Sequence, residues 1–157
     1  MTLRIAADDP RAPDVLALIQ RHLAFNRGVT PDGHVHALEA ERLAEPEVTF
    51  FSARRGCELL GIGAIKRIDA THAEIKSMHT AQSARRQGVG AAMVAHLLAA
   101  AAHSGYQRVS LETGSTQDYA PARALYAKFG FTPCGPFDGY TDTTFSAYMT
   151  KELDARL

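Results

Sequence analysis

The chain has few of the residues that mark secreted, metal-binding or nucleic-acid-binding proteins. Its 157 residues include two cysteines and no tryptophan, and 17 basic residues balance 17 acidic ones. Because nucleic acids and membrane surfaces attract proteins with a dominant basic field, this balance argues against a nucleic-acid partner or a membrane partner. Cys57 and Cys134 lie far apart and in no metal-ligand spacing, which predicts free thiols and no metal. A reducing, cytoplasmic compartment is the expected location.

Long apolar stretches are lacking as well. The longest, Ala91 to Ala102, is interrupted by His96 and is well short of the roughly 20 residues that a membrane-spanning helix needs. The first ten residues lack the apolar segment of a signal peptide. We therefore expect a single domain over residues 1–157, large enough to bury a core of its own.

The hydrophobic pattern predicts the element order β-α-α-β-β-β-α-β-α-β-β. Three consecutive strands form an antiparallel meander, and Gly61 and Gly63 in its second strand predict a bulge or the close approach of another backbone. The order indicates an α/β chain of the α+β type with a mixed, mostly antiparallel sheet, rather than regular βαβ alternation. The second helix is predicted from after Gly33 to about Ala44, and the last strand over Thr144–Thr150.

One turn between a strand and a helix has the features of an anion site. Arg85-Arg86-Gln87-Gly88-Val89-Gly90 follows a strand and opens an alanine-rich helix. A helix N-terminus leaves about four backbone N–H groups without intrahelical partners and carries a partial positive charge. Glycines let a phosphate approach those groups, and the two arginines add permanent charge. The turn is therefore predicted to hold a pyrophosphate.

Two common phosphate-binding motifs do not match this turn. A Walker A loop needs a lysine and a hydroxyl residue directly after its last glycine, whereas Gly90 is followed by two alanines. The Rossmann fingerprint needs three spaced glycines and an acidic ribose partner further along the chain. Only Gly88 and Gly90 are present, and no acidic residue lies at the required distance.

The turn resembles the acetyl-CoA motif of the GCN5-related N-acetyltransferase (GNAT) superfamily. Arg85-x-x-Gly88-x-Gly90 is similar to that family's Gln/Arg-x-x-Gly-x-Gly/Ala. The segment from Ala122 to Phe131 is similar to the family pattern Ala-x-x-Leu-Tyr-x-x-x-Gly-Phe, and the order of elements also matches. Glu-Ile-Lys-Ser-Met and Leu-Glu-Thr-Gly resemble a bacterial branch often labelled indole-acetic-acid acetyltransferase-like. The resemblance implies a GNAT-like fold with about seven strands and about four flanking helices.

The resemblance also implies acetyl-CoA as a co-substrate and places its parts along the chain. The pantetheine arm would hydrogen-bond to the exposed backbone of a strand that splays from its neighbour, here Met78, His79 and Thr80. The pyrophosphate would be held beside Arg85 and Arg86 by five backbone amides, those of Gln87, Gly88, Val89, Gly90 and Ala91.

Two residues are predicted to carry the proton transfers. Glu74 lies eleven residues before Arg85, the spacing of the general-base glutamate in histone-acetylating members of the family. Tyr126 resembles the family tyrosine that donates a proton to the departing thiolate, although a tyrosine at this helix position can equally fill the core. Glu112 on the neighbouring strand is the rival base, and His72 and His79 are weaker candidates.

Strand alternation predicts that Glu74, Lys76 and Met78 share one face, with the first two facing the acceptor. The alternative is a surface ion pair between Glu74 and Lys76. Lys76, Glu112 and Thr113 are the predicted acceptor-binding residues, and a cation there favours an amine that also bears a carboxylate, such as an amino acid.

The function predicted from these residues is acetyl transfer to the primary amine of a small molecule, directly within a ternary complex. The alternative is a non-catalytic acetyl-CoA-binding module that regulates a partner.

The chain departs from the family pattern at Tyr119, where family members often have an asparagine that contacts CoA. Candidate substitutes for that contact are Ser115, Gln117 and Asp118. A homodimer through the C-terminal strands is also expected, with Phe145 and Tyr148 serving either the interface or the core.

Overall fold

The computed structural model describes residues 2–27, 39–140 and 146–153. Residues 39–43 are helical, which agrees with the end of the predicted second helix; the rest of that helix and the start of the predicted last strand lie outside the described residues. The other strands and helices are β1 Leu3–Ala7, α1 Pro13–Arg27, β2 Val48–Arg55, β3 Glu58–Arg67, β4 His72–Thr80, α2 Val89–His103, β5 Arg108–Gly114, α3 Ala120–Lys128, β6 Thr132–Cys134 and β7 Ser146–Glu152.

The strands form one mixed sheet in the order β1-β2-β3-β4-β5-β7-β6. Strands β4 and β5 are parallel, and the other neighbours in the sheet are antiparallel. A parallel pair needs a long crossover, and α2 supplies it between β4 and β5. The predicted mixed, mostly antiparallel sheet of seven strands is confirmed.

Helix α2 packs on one face of the sheet because two glycines in β3 leave room for it. A Cβ atom at Gly63 would lie 2.9 Å from Met93 Cγ, and one at Gly61 would lie 2.9 Å from Val89 Cγ1. Met93, Val94 and Leu97 are almost fully buried in the resulting core. Both expectations for these glycines are met in part. The register between β2 and β3 shifts beside Gly61, and the backbone oxygen of His79 lies 3.2 Å from a Cβ there, but most of the close contacts come from side chains of α2.

Helix α1 packs on the opposite face, and an ion-pair cluster ties its first turn to the outer strands. Arg54 on β2 lies 3.0 Å from Asp8 and 2.7 Å from Asp14. Ser52 donates a 2.6 Å hydrogen bond to Asp8. A surface cavity of about 440 Å³ lies beside this cluster. Since both carboxylates already contact Arg54, the cluster anchors α1 to the sheet.

The last strand places Tyr148 in the core, one of the two roles expected for it. Strand β7 covers Ser146–Glu152, so it ends two residues later than predicted. Tyr148 is 5% exposed and packs against the rings of Phe137 and Tyr140. Its side chain therefore belongs to the interior, while Phe145 lies outside the described residues. The homodimer stays a prediction.

Two further expectations concerned free thiols and the lack of a membrane-spanning helix. Cys57 is an exposed free thiol, and Cys134 is a half-buried one. Within the described ranges, no helix combines the length and the apolar character that crossing a membrane requires.

The packing of α2 predicts the effect of a methyl group at Gly63. In Gly63→Ala the new Cβ would crowd Met93, Leu97 and Met78, so we expect a loss of about 1–3 kcal/mol in the free energy of unfolding, measured by urea denaturation. Gly135→Ala is the matched control because its Cβ meets nothing within 4 Å. Equal stability of the two variants would contradict the packing described here.

Candidate active site

The pairing of β4 with β5 stops before either strand ends. It runs from His72 opposite Arg108 to Ile75 opposite Leu111. Beyond this point β4 pairs only with β3, and β5 pairs only with β7. We call the gap between residues 76–80 and 112–114 the β4–β5 opening. Among the described residues, the backbone groups on its two edges have no partner strand, so they can hydrogen-bond to an extended ligand.

A bulge in β4 accompanies the opening. Ile62 is opposite His79 while Ala64 is opposite Lys76, so β4 has one residue more than β3 in this stretch. Ser77 has a φ of +58°, and its hydroxyl donates a 3.3 Å hydrogen bond to Glu39. An extra residue resets the alternation of side chains along a strand.

The bulge makes the prediction of a common face for Glu74, Lys76 and Met78 wrong. Met78 lies on the α2 face, where its sulfur is 3.1 Å from the position of a Cβ at Gly63. Glu74 and Lys76 precede the bulge and stay together on the other face, with Lys76 Nζ 3.8 Å from Glu74 Oε2. The alternative of an ion pair is therefore present in the structure, but its carboxylate is buried rather than at the surface.

Glu74 is the most deeply buried carboxylate among the described residues, with 2% of the residue exposed. The Tyr140 hydroxyl donates a 2.5 Å hydrogen bond to Glu74 Oε2. The other carboxylate oxygen, Oε1, has no hydrogen-bond partner among the described residues. Burial raises the pKa of Glu74 above its ordinary value, although the Lys76 charge and the Tyr140 hydrogen bond oppose that shift. Such a carboxylate takes up a proton more readily than an exposed one.

The residues predicted on β5 are divided between the two faces. Ser110 is opposite Glu74 in the strand pairing, and Glu112 lies two positions after Ser110. Glu112 therefore lies on the same face of the sheet as Glu74. It is exposed and accepts a 2.7 Å hydrogen bond from Ser146. Thr113, the next residue, lies on the α2 face. Glu74, Lys76 and Glu112 thus share one face of the sheet beside the opening, and Thr113 lies on the other face.

The N-terminus of α2, where the turn predicts a pyrophosphate, has no side-chain cap among the described residues. Gly88 precedes the helix with a φ of +80°, and a Cβ there would meet nothing within 4 Å. No side chain caps the helix, and its first turn has no acidic residue. Because the first helical bond runs from Ala92 N to Gly88 O, the amides of Val89, Gly90 and Ala91 have no intrahelical acceptor. These groups fit a pyrophosphate.

The flanking polar residues leave this end of α2 positively charged. Arg85 and Arg86 are both exposed, and Arg86 has a φ of +65°. The Gln87 side chain donates to Ser83 O at 3.1 Å and accepts from Arg55 at 3.2 Å. Gln87 therefore contributes its backbone to the turn while its side chain holds the loop in place.

Helix α3 and the end of β4 meet at the same place. A Cβ at Gly90 would lie 3.3 Å from Leu125 and 3.7 Å from the Thr80 hydroxyl. Tyr126 follows Leu125, is 6% exposed, and packs edge-to-face on Phe131. Its hydroxyl has no hydrogen-bond partner within the part of the chain that the structure describes, and burial raises its pKa well above the ordinary value. Tyr126 therefore holds its proton at neutral pH.

The loop before α3 is held by contacts within itself. The Tyr119 ring covers Gly114, where a Cβ would lie 2.0 Å from a ring carbon. Arg123 donates to the carbonyls of Gly114 and Thr116 at 2.6 and 2.9 Å. The candidate CoA contacts Ser115, Gln117 and Asp118 are exposed on this loop.

Both histidines considered as bases have partners elsewhere. His72 shares a 2.6 Å hydrogen bond with Ser110, and burial lowers its pKa. His79 Nδ1 lies 3.2 Å from His22 Nδ1 on α1. Burial lowers the pKa of His79 to about 3 and that of His22 to about 4, so both rings are neutral near neutral pH. The pair joins α1 to β4 beside the bulge.

No motif or periodicity in the sequence indicates that Tyr140 lies beside Glu74. Its segment reads as a loop, and the Asp138-Gly139 dipeptide indicates a tight turn without saying where that turn docks. Within the described ranges, no group of three or more histidine, cysteine, aspartate or glutamate side chains is arranged to hold a metal ion.

Comparison with known proteins supplies the family. The model of the acetyltransferase (GNAT) family matches residues 15–131. The chain is 44% identical over 151 residues to the uncharacterized N-acetyltransferase YsnE of Bacillus subtilis (strain 168), covering 96% of this chain and 100% of that protein. It is 32% identical over 150 residues to the IAA acetyltransferase of Azospirillum brasilense, and the match covers 95% of this chain and 97% of that protein.

A solved structure shows the same fold. The structure of aminoglycoside 6′-N-acetyltransferase complexed with coenzyme A matches with a TM-score of 0.75 and 19% identity. The match covers 98% of this chain and 99% of that chain. The overall arrangement of strands and helices is thus shared with a protein whose structure contains coenzyme A.

The buried histidine pair predicts how stability changes with pH. The folded protein resists protonation of His22 and His79 until about pH 4 and about pH 3, whereas an unfolded histidine takes up a proton near pH 6.5. Stability should therefore be complete above pH 6.5 and fall as the pH is lowered from there, by up to about 1.4 kcal/mol per pH unit for each histidine.

Urea unfolding at a series of pH values tests this dependence. In the double variant His22→Phe/His79→Phe the slope should flatten, because apolar groups replace both partners and neither titrates. His103→Gln, at the exposed C-terminal end of α2, is the control and should keep the wild-type slope. An unchanged slope in the double variant would show that other groups cause the acid sensitivity.

Proposed function

The chain belongs to the GNAT family of acetyltransferases, and from that premise we propose that it transfers the acetyl group of acetyl-CoA to the primary amine of a small, amino-acid-like molecule. Membership identifies the protein as an acetyltransferase. The acceptor, the roles of the site residues and direct transfer within a ternary complex are the proposal.

The observation that carries the proposal is that the uncapped N-terminus of α2 adjoins the β4–β5 opening. Thr80, at the end of β4, lies beside Gly90 in the first turn of α2. A ligand with its pyrophosphate on the amides of residues 87–91 can therefore continue along the free backbone edge of Met78, His79 and Thr80. The exposed guanidinium groups of Arg85 and Arg86 add attraction for the anion.

Glu74 and Tyr126 suit opposite proton transfers at this opening. Acetyl-CoA supplies an activated thioester, and the protein has to remove a proton from the amine and return one to the thiolate. Glu74 lies on one face of the sheet, where its raised pKa makes it a stronger base than an ordinary carboxylate. Tyr126, on the helix that packs against α2, keeps a proton that it can donate.

Direct transfer agrees with the positions of the thiols. A covalent acetyl-enzyme would need a nucleophile at the opening, and a cysteine is the usual one. Cys57 lies in the turn between β2 and β3, and Cys134 lies on β6. Neither residue belongs to β4 or β5, so the amine itself is the nucleophile in our proposal.

Lys76 supports an acceptor that carries a carboxylate. Its side chain is about 29% exposed, and its ammonium lies 3.8 Å from Glu74 and 3.3 Å from the Tyr140 hydroxyl. The ammonium can therefore reach a bound acid as well as Glu74. Glu112, on the same face, offers a negative charge to the amine end of such a molecule.

Acetyl-CoA binding can be tested with two glycines that share a conformation. Gly88 and Gly105 have φ values of +80° and +90°, and a Cβ at either position meets nothing within 4 Å. Alanine at either site should cost about 1–2 kcal/mol of stability because both residues are left-handed. Only Gly88→Ala should weaken acetyl-CoA binding, by about tenfold or more in calorimetric titration, since its methyl group enters the proposed pyrophosphate site. Equal affinities in the two variants would place the pyrophosphate elsewhere.

Turnover is tested by thiol release from acetyl-CoA with L-methionine, L-lysine, spermidine and a lysine-containing peptide as acceptors. Glu74→Gln and Tyr126→Phe should each lower kcat by about 10²-fold or more while acetyl-CoA affinity is retained. Tyr106→Phe, which makes the same change two residues before β5 begins, should behave as wild type.

The acceptors distinguish the parts of the proposal. Turnover of spermidine or the peptide alone would overturn the amino-acid-like acceptor. Wild-type protein that binds acetyl-CoA but releases no thiol with any amine would favour a regulatory module instead. For an active enzyme, kcat/KM should rise with pH through the raised pKa of Glu74, and this rise should be lost in Glu74→Gln.

A further inference from the structure

A tight turn places Tyr140 over Glu74. Asp138 and Gly139 have φ values of +48° and +81°, and Tyr140 N donates a 2.9 Å hydrogen bond to Phe137 O. Two consecutive left-handed residues with this bond are typical of a type I′ turn. The turn fixes the path of the backbone that carries Tyr140. It lies beyond residue 131, where the match to the family ends.

Residues of the same turn contact three strands of the sheet, β3, β4 and β7. Asp138 lies 4.0 Å from Lys66 on β3. The Phe137 ring contacts His72 on β4 and Tyr148 on β7, with ring centroids 5.9 Å apart in both cases. The Tyr140 ring packs on Tyr148 at 5.7 Å. These contacts hold the Tyr140 hydroxyl at one place over the carboxylate.

The hydrogen bonds around Tyr140 form a chain in which Lys76 donates to Tyr140 and Tyr140 donates to Glu74. Lys76 Nζ donates to the Tyr140 oxygen at 3.3 Å, and the Tyr140 hydroxyl donates to Glu74 Oε2 at 2.5 Å. A hydroxyl has one donor and two acceptor lone pairs, so one lone pair of Tyr140 remains for an incoming N–H. Glu74 is 2% exposed whereas Tyr140 is half-buried, so a molecule on this face reaches Tyr140 before it reaches Glu74.

We propose that Tyr140 is a catalytic residue that relays the amine proton to Glu74. This step rests on the proposed function. As the bond between the amine nitrogen and the acetyl carbon forms and the carbon–sulfur bond breaks, the amine N–H bond breaks and its proton goes to the Tyr140 oxygen. Tyr140 passes its own hydroxyl proton to Glu74 Oε2, and Tyr126 donates the proton that the thiolate takes up.

Tyr140 ends the step as a neutral hydroxyl, and Glu74 ends it as a neutral carboxyl. Lys76 stabilises the negative charge that develops on the Tyr140 oxygen while the two protons move. Solvent then carries the proton from Glu74 back to Tyr126, which restores both residues for the next turnover.

A purely structural role explains the arrangement less well. An anchoring carboxylate is expected to have both oxygens hydrogen-bonded, since an unsatisfied buried polar atom destabilises the folded state. Glu74 Oε1 has no such partner among the described residues. The short hydrogen bond from Tyr140 is accepted by the other oxygen, Oε2. The carboxylate is therefore held at one oxygen, in line with the hydroxyl that would deliver the proton.

The relay is tested with Tyr140→Phe, with Tyr106→Phe as the matched control, on the four acceptors used above. Removal of the relay should lower kcat by about 10²-fold even at pH values where the wild type is at its maximum, with acetyl-CoA affinity unchanged. The double variant Glu74→Gln/Tyr140→Phe should be no slower than the slower single variant, because both residues act in one proton path.

A second readout needs neither acetyl-CoA nor an acceptor. The Glu74 carboxyl carbon can be titrated by ¹³C NMR in the free protein, with Glu74→Gln used to assign its signal. Because the Tyr140 hydrogen bond lowers the pKa of Glu74, that pKa should rise in Tyr140→Phe and stay unchanged in Tyr106→Phe. An unchanged pKa in Tyr140→Phe would overturn the contact on which the relay depends.

The outcomes separate the relay from the proposed function. Wild-type protein without turnover on any amine overturns both. Wild-type turnover combined with a Tyr140→Phe variant that reaches the wild-type maximum at higher pH overturns the relay alone, because Tyr140 would then only tune Glu74. Additive losses in the double variant would overturn it too.

Discussion

The end of pairing between β4 and β5 is the constraint on which the site depends. Up to Ile75 and Leu111 the two strands share a parallel ladder, and beyond them each keeps only its outer neighbour. The bulge at Ser77 turns the remainder of β4, and the hydrogen bond from Ser77 to Glu39 helps to hold this irregular backbone. Backbone groups that would otherwise pair across the sheet are thereby available to a ligand, and side chains from both faces meet at one gap.

The chemistry at that gap is controlled by burial. Lys76 lies close enough to Glu74 to favour its charged form, yet the loss of solvent outweighs this attraction and raises the pKa of Glu74. Tyr126 shows the same effect, because burial without a hydrogen-bond partner among the described residues holds its proton. Burial thus makes Glu74 more ready to take up a proton, while Tyr126, on the helix that packs against α2, keeps its own.

Much of the fold was predictable because its signals are local. Hydrophobic spacing and terminal glycines predict α1 from Pro13 to near Arg27 and α2 from about Gly88 to His103, and the structure has these helices at Pro13–Arg27 and Val89–His103. The glycines at 61 and 63 correctly indicated a close approach, although not that helix side chains make it. The common face assigned to Glu74, Lys76 and Met78 failed, because strict alternation holds only where no extra residue enters the strand.

The sequence by itself determined the order of elements, the glycine-rich turn at Gly88 and Gly90 that opens α2, and the residue types available for proton transfer. These depend on backbone preferences and periodicity, which act over a few neighbouring residues. Only the tertiary structure decided that Met78 faces α2, that Thr113 lies away from Glu74, and that Tyr140 covers Glu74 from 66 positions along the chain. Such contacts depend on where distant segments dock. Pairing register and desolvation set those positions, and neither can be read from a short stretch of sequence.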